Sequence, residues 1–234
     1  LSAMHTMSKS GVDIIELGIP FTDPIADGPV IQKSIDRSLK NKTSLRDVIS
    51  LVKDFRKDNK DTAVVLMGYM NPVHKMGIVK FTKQINDSGI DGVLIVDSPP
   101  EESEALNKHL KKYNKSHIYL ASPTTTDQRM KSISKKSSGY IYYVTIKGIT
   151  GSKLSDVSSI RENVNKIKEY SNYNLPVAVG FGIKDSNSAR KMAKFSDGII
   201  IGSSIVELIH KHSKNKKTMN SKLSSYLSSI SKAI

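Results

Sequence analysis

Seven short runs dominated by β-branched and other apolar residues recur along the chain, each followed by a segment of helical period. They are Val12–Leu17, Ala63–Met67, Gly92–Asp97, His117–Ala121, Tyr140–Ile146, Pro176–Gly180 and Gly198–Ile201. The runs are nearly continuous in apolar character and do not alternate. Strands of that kind are covered on both faces, which is the situation of a parallel sheet. The intervening segments read as helices. Leu45, Val48, Ile49, Val52 and Phe55 make an i, i+3, i+4 stripe, and Ser44 with Asp47 suits a capped start. Glu101–Lys112, Asp127–Lys136, Ser155–Tyr170 and Ser186–Lys194 fill later gaps. Strand and helix alternating throughout predict an α/β fold. No Pro- or Gly-rich linker interrupts the pattern, so one domain is expected over residues 1–234.

The 234 residues are close to the roughly 250 of a (β/α)8 TIM barrel. That barrel needs eight strands, whereas seven runs are visible and the chain opens on a helical segment, Ser2–Ser10. Two architectures meet this count: an open doubly wound sheet, or a barrel whose first strand lies outside the supplied sequence. The glycine-rich loops described below follow the last two runs, where barrels place a phosphate site after strands seven and eight. The barrel with seven of its eight strands present is therefore expected, as an N-terminally truncated chain.

Charge and composition narrow the partners. Lys and Arg number 36 against 22 Asp and Glu, a formal charge of +14. The lysines are scattered over loops and helix faces, and the densest group, residues 211–217, has no aromatic on which a base could stack. No nucleic acid partner is expected. No apolar run approaches the length of a membrane span, and the first residues lack the basic and apolar regions of a signal peptide. With no cysteine, disulfides and thiolate chemistry are excluded, and a cytoplasmic location is the expectation.

Chemistry concentrates at the carboxyl ends of the runs. Glu16 lies inside the apolar stretch Asp13-Ile-Ile-Glu-Leu-Gly, where low polarity raises a carboxyl pKa and fits it for proton transfer. A structural Glu paired with a lysine is an equal reading of that residue alone. The following loop, Pro20-Phe-Thr-Asp-Pro-Ile-Ala-Asp-Gly-Pro, forms a rigid turn presenting Asp23 and Asp27 over the strand ends. Gly180-Phe-Gly182 and Gly202-Ser203-Ser204 follow the last two runs, and a helix start bordered by glycine suits an anion. Lys147-Gly-Ile-Thr-Gly151 reads as a lid. His210 and His212 are two apart on a helix, and the other histidines share no ligand spacing, so no metal site is expected.

Glu16-Leu-Gly-Ile-Pro-Phe-Thr-Asp-Pro-Ile-Ala-Asp-Gly-Pro-Val-Ile-Gln32 resembles the signature of the tryptophan synthase α subunit family. Met67-Gly-Tyr-Met-Asn-Pro72, Asp97-Ser-Pro-Pro-Glu-Glu102, Gly148-Ile-Thr-Gly151, Gly180-Phe-Gly182 and Gly202-Ser203 follow in the family's order. The resemblance implies retro-aldol cleavage of indole-3-glycerol phosphate to indole and glyceraldehyde 3-phosphate. It implies Glu16 and Asp27 as catalytic residues, with Asp27 against the indole N–H. Tyr69, Tyr142, Thr150 and Phe181 would contact substrate, with Tyr142 beside the glutamate and Thr150 on the lid. Gly151, Gly182, Gly202 and Ser203 would bind phosphate. The implied partner is the β subunit in an α2β2 heterotetramer, met through the loop carrying Asp23 and Pro24. No cofactor is implied for this chain, pyridoxal phosphate belonging to the β subunit. Ile146 departs from the basic residue many relatives carry near the lid. A chain that only binds and activates the β subunit, or another phosphate-binding barrel enzyme, are the rival readings.

Overall fold

A computed structural model of the chain describes residues 1–145, 157–180 and 182–234. Its centre is a seven-stranded, wholly parallel sheet in which each strand pairs with the next in sequence. The strands are β1 (Ile14–Gly18), β2 (Ala63–Gly68), β3 (Gly92–Ile95), β4 (Ser116–Ala121), β5 (Ile141–Val144), β6 (Val177–Gly180) and β7 (Gly198–Ile200). All seven apolar runs became strands, and their consecutive order rules out a doubly wound sheet, whose strand order reverses partway. The sheet curls as a TIM-barrel wall, with helices in the crossovers. The runs overshoot some strands: β3 stops at Ile95, leaving Asp97 free to turn over the rim.

Side chains alternate between two packing layers. Val65, Leu94, Ile118 and Tyr140, with Met67, Leu120, Tyr142, Ala178 and Ile200, form one cluster on the inner face. The other strand residues pack outward against helices in two larger clusters, one around β1–β3 and one around β4–β7. Burying each aliphatic side chain is worth about 1.5–3 kcal/mol, so both layers hold the sheet and explain why its sequence is apolar throughout.

The helices are α1 (Ser2–Lys9), α2 (Pro29–Lys40), α3 (Leu45–Phe55), α4 (Met70–Met76), α5 (Ile78–Asp87), α6 (Glu104–Lys112), α7 (Asp127–Lys136), α8 (Val157–Tyr170), α9 (Ser186–Ala193), α10 (Ser203–His212) and α11 (Lys216–Ser231). The expected stripe of α3 is buried residue for residue, and Ser44 with Asp47 forms a capping box. The helix expected from Glu101 begins at Glu104, because the Pro99-Pro100 turn is still unwinding from β3. α11 buries Met219, Leu223, Leu227 and Ile230. It packs on α1 at one end of the sheet and on α9 and α10 at the other.

Candidate active site

Strands β1, β2 and β5, with the residues that flank them, bring two carboxylates and three tyrosines together. Glu16 is the third residue of β1, in register with Val65, whose side chain belongs to the inner cluster. Its carboxylate is therefore on the inner face. Tyr140, just before β5, donates its hydroxyl hydrogen to Glu16 Oε1 in a short hydrogen bond. Burial raises the Glu16 pKa above the ordinary carboxylate range, and the Tyr140 bond opposes part of that rise by favouring the ionised form.

Asp27 hangs over the same rim from the loop after β1. Tyr69, at the end of β2 and 2% exposed, donates to Asp27 Oδ2 at 2.7 Å and accepts from the Ala26 N–H at 3.0 Å. The Phe21 ring leans on Tyr69 with centroids 5.3 Å apart. One phenol thus fixes both the carboxylate and the backbone of its loop. Partial burial raises the Asp27 pKa, and the Tyr69 hydroxyl again opposes the shift. Tyr142, two residues beyond Tyr140 and on the same face, feels both carboxylates. Its phenol pKa is pushed up by burial first, then by Glu16 and by Asp27. Tyr142 therefore stands within the electrostatic reach of both expected carboxylates.

Gly180 serves that tyrosine. A Cβ at position 180 would run into the Tyr142 ring, so the glycine at the end of β6 makes room for a side chain from β5. Of the neighbouring glycines, Gly182 adopts φ +79°, a conformation side chains rarely take. Gly202 caps α10, and open space surrounds the position a Cβ would occupy. Gly180 and Ile200 are register partners, which sets Gly182 and Gly202 each two residues past a paired position on adjacent strands. Ser203 is the first residue of α10 and is exposed. This corner offers free N–H groups at a helix start beside a left-handed glycine, a geometry that suits an anion.

The loop of Asp23 and Pro24 turns outward. Asp23 is exposed, its carboxylate accepting from the Thr22 hydroxyl, and Ile25 beside it is 85% exposed. Thr150, Gly151 and Phe181 lie outside the described residues, as does Ile146. No group of three or more His, Asp or Glu able to hold a metal ion occurs among the described residues. Tyr140 is the contact that sequence reasoning passed over. Its signal was present, since Tyr140 and Tyr142 are two apart on a strand and so share a face.

Comparison with known proteins finds one family over the whole of residues 1–234. The family described as "Tryptophan synthase alpha chain" matches residues 1–234. A protein of that name from Marinobacter nauticus is 47% identical over 234 residues, spanning all of this chain and 86% of its own. Another from Hydrogenovibrio crunogenus is 44% identical, with 100% and 87% covered. Among solved structures, the tryptophan synthase subunit alpha of Legionella pneumophila superposes with a TM-score of 0.90 at 39% identity, covering 100% of this chain and 86% of that one. A structure of the tryptophan synthase α2β2 complex of Pyrococcus furiosus superposes with a TM-score of 0.86 at 31% identity, covering 98% and 91%.

Proposed function

The chain belongs to the tryptophan synthase alpha chain family, and from that membership we propose how its own residues carry out the family's reaction. The reaction is a carbon–carbon lyase step that cleaves indole-3-glycerol phosphate to indole and glyceraldehyde 3-phosphate. It needs one proton delivered to C3 of the indole ring and one removed from the hydroxyl on the carbon attached there. As that hydroxyl becomes the aldehyde, the carbon–carbon bond breaks and its electron pair returns to the ring.

Glu16 is proposed as the acid–base group for both transfers. Burial raises its pKa, which shifts it toward the condition under which one carboxyl can take and return a proton. The Tyr140 hydroxyl favours the ionised form and holds the carboxylate from the start of β5. Asp27 is proposed to accept the indole N–H and to stabilise the positive charge that C3 protonation places on the ring. That role requires the carboxylate form, which the Tyr69 hydroxyl favours. Tyr69 and Tyr142 line the substrate. Gly182, Gly202 and Ser203 would hold the phosphate, with Gly151 joining them. Thr150 would order Asp27 from the lid, and Phe181 would line the indole pocket.

The loop of Asp23, Pro24 and Ile25, with Asp23 and Ile25 exposed, is proposed to face the β subunit of an α2β2 heterotetramer, which receives the indole. Each step on this chain is a proton transfer or a charge stabilisation by its own side chains. Pyridoxal phosphate would belong to the β subunit alone.

The observation that carries this reading is that each of the two carboxylates is held by its own phenol, Glu16 by Tyr140 and Asp27 by Tyr69. The test is indole release from indole-3-glycerol phosphate, with and without a β subunit, by the wild type and Glu16→Gln. A loss of at least about 10²–10⁴-fold is expected. Equal turnover by the two would remove Glu16 from the chemistry. Equal turnover by Asp27→Asn would do the same for Asp27.

A further inference from the structure

Away from the carboxylates, one side chain ties the loop after β6 to the helix behind it. Tyr226 lies on α11, and its phenol donates to the backbone carbonyl of Lys184 at 3.1 Å. Lys184 belongs to the loop between β6 and α9, two residues past Gly182. α11 also packs against α10, the helix that Gly202 and Ser203 begin. The phenol therefore holds the loop after β6 to the same helix that supports the start of α10 after β7.

α11 is itself held firmly, so this oxygen is a fixed point. Leu223 is fully buried and Leu227 is 5% exposed, one turn apart on the inner face of the helix. Ser186 donates to the Ser229 carbonyl at 3.0 Å, and Ser10 donates to Ser224 at 3.0 Å from the far end of the sheet.

The glycines that face the anion corner add no stiffness to it. Gly182 and Gly202 carry no side chain to pack, and β7 is only three residues long. An anion held by N–H groups from two separate loops is bound well only when their spacing is preset, because hydrogen bonds weaken beyond about 3.2 Å. We propose that Tyr226 is a positioning residue for substrate phosphate, its hydroxyl fixing the loop after β6 to α11 and so setting that loop's spacing from the start of α10. The inference rests on the proposed phosphate role of Gly182, Gly202 and Ser203.

Tyr226→Phe keeps the ring and removes the hydroxyl. In the full chain its KM for indole-3-glycerol phosphate should rise about three- to tenfold, the worth of one neutral hydrogen bond, with kcat within about twofold. Inhibition by inorganic phosphate should weaken by a similar factor. Affinity for free indole should not change, and it can be read from indole fluorescence because the chain has no tryptophan. A variant that loses melting temperature while KM and phosphate inhibition stay at wild-type values would make Tyr226 structural only and overturn the inference. Ser203→Asp separates this from failure of the phosphate reading, since it adds a negative charge where an acidic residue favours a helix start. If Ser203→Asp abolishes phosphate inhibition and Tyr226→Phe leaves it intact, the positioning role alone falls. If Ser203→Asp leaves phosphate inhibition intact, the phosphate site is elsewhere and both fall.

Discussion

Glu16 shows how far a single residue can be understood from its neighbours in sequence. A carboxylate inside an apolar run is costly unless something uses it, and that much was legible in Asp13-Ile-Ile-Glu-Leu-Gly. Its hydrogen-bond partner was not, because Tyr140 is 124 positions away and only the closing of the sheet brings them together. The consequence can be measured. Tyr140 donates to the ionised form of Glu16, so removing the hydroxyl in Tyr140→Phe raises the Glu16 pKa further. The acidic limb of kcat/KM against pH should then move to higher pH, since less of the free enzyme carries the carboxylate. An unmoved limb would show that this bond does not tune Glu16. Tyr69→Phe tests the second carboxylate. It leaves Asp27 without its donor and the Ala26 N–H without its acceptor. A bond to a charged group is worth about 1.5–3 kcal/mol, which predicts a fall in kcat/KM of roughly 10- to 100-fold.

Elements were legible where burial is strong and local. The seven strands stand out because both faces are covered, and α3 because its stripe and its Ser44-x-x-Asp47 start agree. Ser44 donates to Asp47 Oδ2 at 2.6 Å while its own N–H reaches the same oxygen at 2.8 Å. Ser44→Ala should lower the melting temperature by roughly 2–4 °C without changing KM or kcat. A larger fall, or altered kinetics, would mean that α3 is coupled to the rim. α2 escaped sequence reading although Ile31, Ile35 and Leu39 recur at helical spacing, because it follows directly on the turn-rich loop after β1. None of its residues is buried, and Pro29 after Gly28 marks its start. α4 is seven residues long, too short to show a period. α11 was missed because serines fill most of the positions between its apolar anchors. Those anchors join α1 to α9 and α10, which makes Leu223→Ala a sensitive probe. Losing a fully buried leucine there should cost about 2–5 kcal/mol, readable as a drop in denaturant midpoint. A cost under about 1 kcal/mol would show that α11 does not brace the sheet.

For the whole molecule, the response of stability to pH brings buried groups and surface charge into one curve. His117 on β4 is 2% exposed, and its Nδ1 lies 2.6 Å from Asn107 Oδ1. Asn107 gives its amide hydrogen to Tyr119, which fixes the amide oxygen toward the ring and places the imidazole proton on Nδ1. Nothing nearby welcomes a second proton, and burial lowers the His117 pKa to about 4 from 6.5. A folded-state pKa below the unfolded value means that the unfolded chain binds the proton first. The stability is complete above about pH 6.5 and is lost as pH falls toward 4. At about 1.36 kcal/mol per unit, the full loss is about 3 kcal/mol. Glu16 and Asp27 act in the reverse sense. Their folded pKa values are raised, so the folded state takes up protons first and gains stability as pH falls through them. The surface adds a third contribution, because protonating carboxylates on a chain already at +14 increases repulsion as pH falls. A wild-type curve alone mixes all three. His117→Asn separates them, since its amide can still donate to Asn107 and any packing cost is the same at every pH. The denaturant midpoint of the wild type should fall more steeply than that of His117→Asn between pH 7 and pH 5. The gap between the curves should narrow by about 2 kcal/mol over that interval. Parallel curves would mean that His117 takes up its proton as readily in the folded chain as in the unfolded one.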